Sequence, residues 1–185
     1  MNKRYAKHMP SATLISVEEY LSTSYDPDCD YVDGEVIERN MGELDHSGLQ
    51  RLITVWLGSR QKELGINVFP EARVQVASTR FRVPDVAVIT HRPLGRILRE
   101  PPFLCIEILS PEDRASRMEQ KIDDYLKFGV AYVWLIDPRK KLAWSYTREG
   151  RREAVSVLTT TEPHIELPIA ELFSELEEDV NLADE

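Results

Sequence analysis

Cysteine is scarce in this chain, and the metal and nucleotide motifs that cysteine, histidine and glycine would build do not occur. The two cysteines, Cys29 and Cys105, are far apart, and Cys105 sits in an apolar run where a thiol behaves as a small hydrophobe. A disulfide scaffold is therefore not expected, and a reducing cytoplasm is the expected setting. The four histidines (His8, His46, His91 and His164) are scattered and make no zinc spacing with the cysteines. Eight glycines form neither a Walker loop nor a dinucleotide fingerprint, and no Gly-x-Ser-x-Gly elbow surrounds any serine. Ser110-Pro111 reads as a loop or helix entrance rather than as a nucleophile. No apolar run approaches the roughly eighteen residues of a membrane span. The basic stretch Met1 to Pro10 lacks an apolar core and so does not read as a signal peptide.

Positive charge is also unevenly absent. The net charge is −9 over 185 residues, which opposes broad nonspecific binding to nucleic acid. Residues 153–185 carry ten acids and no base, whereas residues 71–152 carry 16 bases and 11 acids. The middle segment is the only net-basic part of the chain, by surface solvation or by substrate steering. A length of 185 residues suits one domain with a real core. We expect a loose leader over 1–12, one domain over 13–175 and an acidic tail over 176–185.

The pattern of apolar residues gives the elements. Ser16-Val17-Glu18-Glu19 is a capping box and predicts a short helix over 17–23. Asp33-Gly34 predicts a hairpin turn within 31–39. Leu49, Leu52, Ile53, Trp56 and Leu57 repeat with helical spacing, predicting one amphipathic helix over about 45–64 with Gly65 as its stop. Residues 66–78 and 80–90 read as two strands, followed by a proline-containing loop. Phe103 to Leu109 is apolar on both faces, as in a central strand. Met118, Ile122, Tyr125 and Leu126 mark a helix ending before Gly129, and Ala131 to Ile136 is a second buried strand containing Trp134. Strand, helix, strand with short joints makes a crossover, so these two strands are expected to be parallel. Lys141 to Thr147 should pair beside them. A strand near 153–159 and a helix near 169–177 complete the reading.

Two carboxylates interrupt these apolar runs. Carboxylates are rarely fully buried unless paired or bound to a metal. Glu107 lies inside Phe103–Leu109, and no register places it on a polar face. Either it makes a buried ion pair, for example with an arginine, or it ligates a cation. Asp85 shares a face with Phe81, Val83, Ala87 and Ile89 if the strand is continuous. It is either an edge-strand aspartate tied to a backbone amide or a second ligand. Pro84 before it has no N–H, so the strand is at an edge or distorted there. Hard oxygen donors suit Mg²⁺ or Mn²⁺, with the Ile108 carbonyl as a further ligand. Lys121, at the border of the following helix's apolar stripe, either snorkels to solvent or serves the same site. A border position also predicts that Lys121→Ala leaves folding almost unchanged. Tyr125 lies one turn beyond it. Glu35 and Glu71 are accessory candidates. His46, at the start of the long helix, reads as a capping or surface residue. Two carboxylates sharing a site repel, which predicts that Asp85→Asn stabilises the metal-free protein.

These residues also fall into a known order. Val83-Pro84-Asp85-Val86, Cys105-Ile106-Glu107-Ile108-Leu109-Ser110-Pro111, Glu119-Gln120-Lys121-Ile122-Asp123-Asp124-Tyr125 and Gly129 to Pro138 together resemble the Uma-two family. That family lies within the restriction-endonuclease-like, PD-(D/E)XK superfamily. Asp33-Gly34-Glu35 and His46 upstream, and Leu167-Pro168 with Ala170-Glu171-Leu172-Phe173 downstream, extend the resemblance over about residues 16–175. It implies an α/β fold, a restriction-endonuclease-like core with a central mixed β-sheet flanked by helices. It also implies a Mg²⁺-dependent nuclease site in which Asp85 and Glu107 are the two acids. The superfamily's lysine two positions after the second acid is Leu109 here, and Lys121 on the next helix stands in its place. Lys121-x-x-x-Tyr125 is similar to a Gln-x-x-x-Tyr element of some relatives. The resulting expectation is a metal-dependent endonuclease acting on DNA, by analogy a homodimer. The alternative is an inactive nuclease-fold module that binds nucleic acid or a protein.

Overall fold

A computed structural model describes residues 14–39, 43–111 and 113–183; the expected leader over 1–12 lies outside the described residues. Ser16 caps helix α1 (Val17–Ser22), its Oγ accepting from the Glu19 N–H at 3.1 Å. Strands β1 (Asp30–Val32) and β2 (Glu35–Ile37) form the expected hairpin. Asp33 and Gly34 both have positive φ, 50° and 104°, the backbone that a two-residue hairpin turn requires. Helix α2 (Leu44–Ser59) and the one-turn α3 (Gln61–Leu64) replace the single helix expected over 45–64. Arg60 leaves helical geometry between them, and Gly65 ends α3 in the left-handed conformation.

The two strands expected over 66–90 are four: β3 (Asn67–Pro70), β4 (Val74–Ala77), β5 (Arg80–Arg82) and β6 (Val86–Ile89). Glu71, at φ 52°, breaks the first run. Pro84, with no N–H to give a neighbouring strand, stands in the second break. Apolar spacing is blind to the second interruption, because Arg82, Val83 and Val86 around it are still buried. Asp85 therefore stands at a strand break and not inside a strand.

Strand β7 (Leu104–Ile108), helix α4 (Ala115–Phe128) and strand β8 (Tyr132–Asp137) form the expected crossover, with β7 and β8 parallel. Gly129 closes α4 at φ 113°, and a Cβ there would approach Pro101 to 3.2 Å. Then follow β9 (Leu142–Thr147), β10 (Gly150–Ala154), β11 (Leu158–Thr159) and β12 (Glu166–Leu167). Helix α5 (Ile169–Ala183) runs past the expected end at 177, through most of the segment read as an acidic tail. The main sheet is mixed, in the order β10-β9-β8-β7-β6-β3, and a second sheet has the order β2-β1-β5-β4.

Helices cover both faces of the main sheet. On one face Leu49, Ile53 and Leu57 of α2 and Leu172 and Phe173 of α5 pack on Ile106, Ile108, Trp134 and Ile136. On the other, Met118, Ile122 and Tyr125 of α4 pack on Ala87, Cys105, Val133 and Leu135. Each fully buried side chain of this size contributes about 1.5–3 kcal/mol. The alternation along β7 sends Ile106 and Ile108 toward α2 and α5, and Cys105 toward α4. Glu107, two residues from Cys105, shares its face and meets α4.

Candidate active site

Glu107 is 2% exposed, and each of its oxygens accepts a hydrogen bond from α4. Lys121 Nζ donates to Oε2 and Tyr125 Oη to Oε1, both at 2.8 Å. Lys121 and Tyr125 are one turn apart, so one helix face presents an ammonium and a phenol to one carboxylate. Lys121 also donates to the Val83 carbonyl at 2.9 Å and lies 3.9 Å from Asp30. It is 8% exposed, so the expected border lysine is buried, because the segment around Pro84 and strand β1 close over it.

Asp85 is also 2% exposed. The antiparallel register pairs Val86 with Ile106, so Asp85 and Glu107 are each one residue beyond that pair. Asp85 Oδ2 accepts the Ile108 N–H at 2.7 Å, bridging the gap that the strand break leaves. Oδ1 pairs with the Arg39 guanidinium, and His46 Nε2 is 3.4 Å from Oδ2. The Asp85 carbonyl accepts from Gln50 Nε2 at 3.0 Å and from the Glu71 N–H at 3.2 Å. The arginine considered as a partner for Glu107 thus belongs to Asp85, while Glu107 has the lysine.

The accessory candidates divide. Glu71 touches the site indirectly, through a 3.2 Å ion pair with Arg39. Glu35 is exposed at the start of β2 and makes none of these contacts. His46 proves to be a neighbour of Asp85 and not a surface cap; its spacing of four from Gln50 on α2 was the available signal. Arg39, which leaves the β2 hairpin, gave no local sign at all. A second buried network adjoins the site: Arg82 pairs with Asp30 at 3.0 Å and with Asp124 at 2.6 Å. Asp30 also accepts the Val83 N–H at 2.8 Å. These pairs dock the small sheet on α4 and set the height of the Val83 carbonyl over Lys121.

Proton affinities follow from this arrangement. Burial pushes Glu107 up to about 7, with Lys121 opposing the rise and Asp85 adding to it. Burial would raise Asp85 too, but His46 and Arg39 outweigh it and its carboxyl falls below the ordinary range. Desolvation lowers His46 and Asp85 more than restores it, so the imidazole is held above its usual value. For Lys121, the attraction of Asp30 and Glu107 overcomes burial and the ammonium is strengthened. The two acids are thus pushed apart, one anionic under ordinary conditions and one near neutrality.

An open cavity of about 90 Å³ reaches this chemistry from solvent. Glu107 and Lys121 line it, with Arg39 and His46 on one side and Arg114 and Arg117 of α4 on another. Among the described residues, no three histidine, cysteine or acidic side chains are grouped to hold a metal ion. The fit of a divalent cation therefore rests on the two carboxylates. Each carboxylate oxygen has two acceptor sites. Asp85 Oδ2 uses both, on Ile108 and His46, whereas Asp85 Oδ1 and both Glu107 oxygens accept one hydrogen bond each. Three acceptor sites on hard oxygens remain, which suits Mg²⁺ or Mn²⁺ and not a soft metal. Arg39 is the group with which such a cation would compete for Asp85.

The mixed sheet between helices, with one acid on β7, the other at the break just before β6 and a lysine on the crossover helix, defines a nuclease-type α/β protein. A family model described as "Putative restriction endonuclease" (Uma2) matches residues 17–181, and the chain belongs to that family. A crystal structure titled "a putative nuclease belonging to DUF820" from Anabaena variabilis is similar at 26% identity and TM-score 0.77. That likeness covers 88% of this chain and 99% of the other. A part of a cryo-EM DrdV–DNA complex is similar at 13% identity and TM-score 0.43, over 73% of this chain and 12% of that one. None of the curated proteins matches. Among the described residues no helix is long and apolar enough to cross a membrane.

Proposed function

We propose that the protein is a divalent-metal-dependent endonuclease that hydrolyses phosphodiester bonds of DNA. The observation that carries this reading is the convergence of two buried carboxylates, Asp85 and Glu107, with Lys121, where Glu107 and Lys121 line an open cavity and Asp85 lies behind Arg39 and His46. Family membership supports the same reaction class. Asp85, Glu107 and the Ile108 carbonyl would hold Mg²⁺ or Mn²⁺, which when bound supplies an acidified water and a Lewis acid. Tyr125 fixes the Glu107 rotamer. Lys121 places an ammonium beside the reacting phosphate, where it stabilises the charge that builds on a phosphorane-like transition state and orients the attacking water. Arg39 and His46 hold Asp85 as the anion.

Cleavage of supercoiled plasmid with Mg²⁺ and with Mn²⁺, run beside Glu107→Ala, tests the reaction. Nicking or linearisation by the wild type alone is the expected outcome. Failure of the wild type on every DNA and RNA tried gives the lead to a binding module without activity. The reading includes a homodimer, since two copies of one site cut two strands and a closed two-fold pair is the commonest assembly. A monomer by light scattering at high concentration would overturn that part. It also places the protein in a reducing cytoplasm, consistent with two buried, unpaired cysteines.

A further inference from the structure

We propose that Arg114, Arg117 and Lys121 form a phosphate-binding stripe that seats one strand of duplex DNA across the mouth of the cavity. Lys121 serves the phosphate being cut, and the two arginines hold phosphates beside it on the same strand. This rests on the nuclease reading above and adds to it where the backbone lies.

Three observations carry it. The first is placement. Arg114 caps α4, Arg117 is three residues on and Lys121 four further, so the three share one helix face. At about 1.5 Å per residue they extend over roughly 10 Å. All three line the cavity, Lys121 buried at its floor and both arginines exposed.

The second observation is pairing. Five lysine and arginine side chains line the cavity. Three are committed to carboxylates: Arg39 to Asp85, Arg82 to Asp30 and Asp124, and Lys121 to Glu107. Among the described residues, Arg114 and Arg117 have no acidic side chain within ion-pair distance. Arg114 and Arg117 are thus the lining lysine and arginine side chains left to meet an anion, beside Glu38 and Asp113 of the same lining, in a chain whose overall charge is −9. A guanidinium presents a fork of N–H donors that matches two phosphate oxygens at once.

The third observation is local cost. The first turn of a helix carries the positive end of its dipole, so cations there are unfavourable and acids are favoured. Helices α1, α2 and α5 follow the rule with Glu18 and Glu19, Asp45 and Glu171. Helix α4 has no acid in its first turn and no side-chain cap, and it has an arginine at the cap and another three residues later. Departures from local preference of this kind concentrate at functional sites. An anion docked there relieves the cost and gains the dipole as well as the two guanidinium groups.

The test is equilibrium binding of a labelled DNA duplex in EDTA, where no cleavage occurs, as a function of salt. Each phosphate contact contributes about 0.9 to the slope of log K against log salt. Replacing both Arg114 and Arg117 by alanine should lower the slope by about 1.8 and weaken low-salt binding by at least about tenfold. The thermal midpoint should rise slightly, since the cost at the helix N-terminus is relieved, and Mn²⁺ affinity should not change. Replacing both by lysine should keep most of the slope. Arg151→Ala with Arg152→Ala on exposed strand β10 removes the same charge elsewhere and should keep the wild-type slope. If the wild type binds duplex and the Arg114/Arg117 double alanine variant binds with the same slope, the stripe is wrong and the nuclease reading stands. An equal slope loss in the β10 control also overturns it, since net charge then accounts for the effect. Absence of duplex binding by the wild type at low salt overturns both.

Discussion

Asp85 is tied to the strand that carries the other acid: its Oδ2 accepts the Ile108 N–H at 2.7 Å, one residue past Glu107. The carboxylate does there what a backbone carbonyl does elsewhere in the ladder. With Arg39 on Oδ1 and His46 beside Oδ2, Asp85 is stabilised as an anion without any metal.

Asp85→Asn should therefore destabilise the protein by about 2–4 kcal/mol in urea unfolding, the range for breaking a buried, hydrogen-bonded charge. This reverses the expectation of simple repulsion between the two acids. Because the native Asp85 value is depressed, the difference between wild type and variant is fully present above the ordinary aspartate range. It closes as pH falls through the lower native value. A variant as stable as the wild type at pH 7 would refute the account.

Glu107 has the opposite sign. Its native value near 7 exceeds the ordinary 4.5, so the native state binds the extra proton between these limits. Its contribution is full below 4.5 and is lost as pH rises through 7. The slope is at most about 1.4 kcal/mol per pH unit. Glu107→Gln should flatten stability between pH 4.5 and 6.5, below the window in which His46 begins to titrate. Parallel pH profiles for the two proteins would be the contrary result.

Lys121→Ala should destabilise by about 3–5 kcal/mol above pH 7, where the wild-type pair is charged and the variant loses the cation facing Glu107. The border position on the helix had suggested a silent change; burial under Val83 and Asp30 is the reason it is not. Adding Glu107→Gln to Lys121→Ala should recover much of the loss, since no uncompensated charge then remains. Under the proposed mechanism, Lys121→Ala also lowers cleavage by about two orders of magnitude or more, measured below its own midpoint. Wild-type stability in the single variant would contradict the burial argument.

Arg39→Gln should raise Mn²⁺ affinity by about tenfold, some 1.4 kcal/mol, by removing the cation that competes for Asp85. Calorimetric titration of the two proteins reads this directly. Unchanged or weaker binding would mean that Arg39 supports the cation site rather than blocking it.

Local chemistry determined much of this protein. The capping box at Ser16, the Asp33-Gly34 turn, the stop at Gly129 and the β7–α4–β8 crossover are each decided by a few neighbouring residues, and each was readable from them. Glu107 stood out because every residue around it is apolar, and alternation alone turned it toward α4. Lys121 and Tyr125 were legible through helical spacing. What tertiary structure alone decided is the partner of each acid. Arg39 leaves the β2 hairpin 46 residues before Asp85, and Asp30 meets Arg82 from 52 residues away. No periodicity encodes contacts across such separations. They exist because Pro84 breaks the run between β5 and β6, which divides those strands between two sheets and folds the hairpin over the site. The sequence named the acids; packing chose which cation each would face.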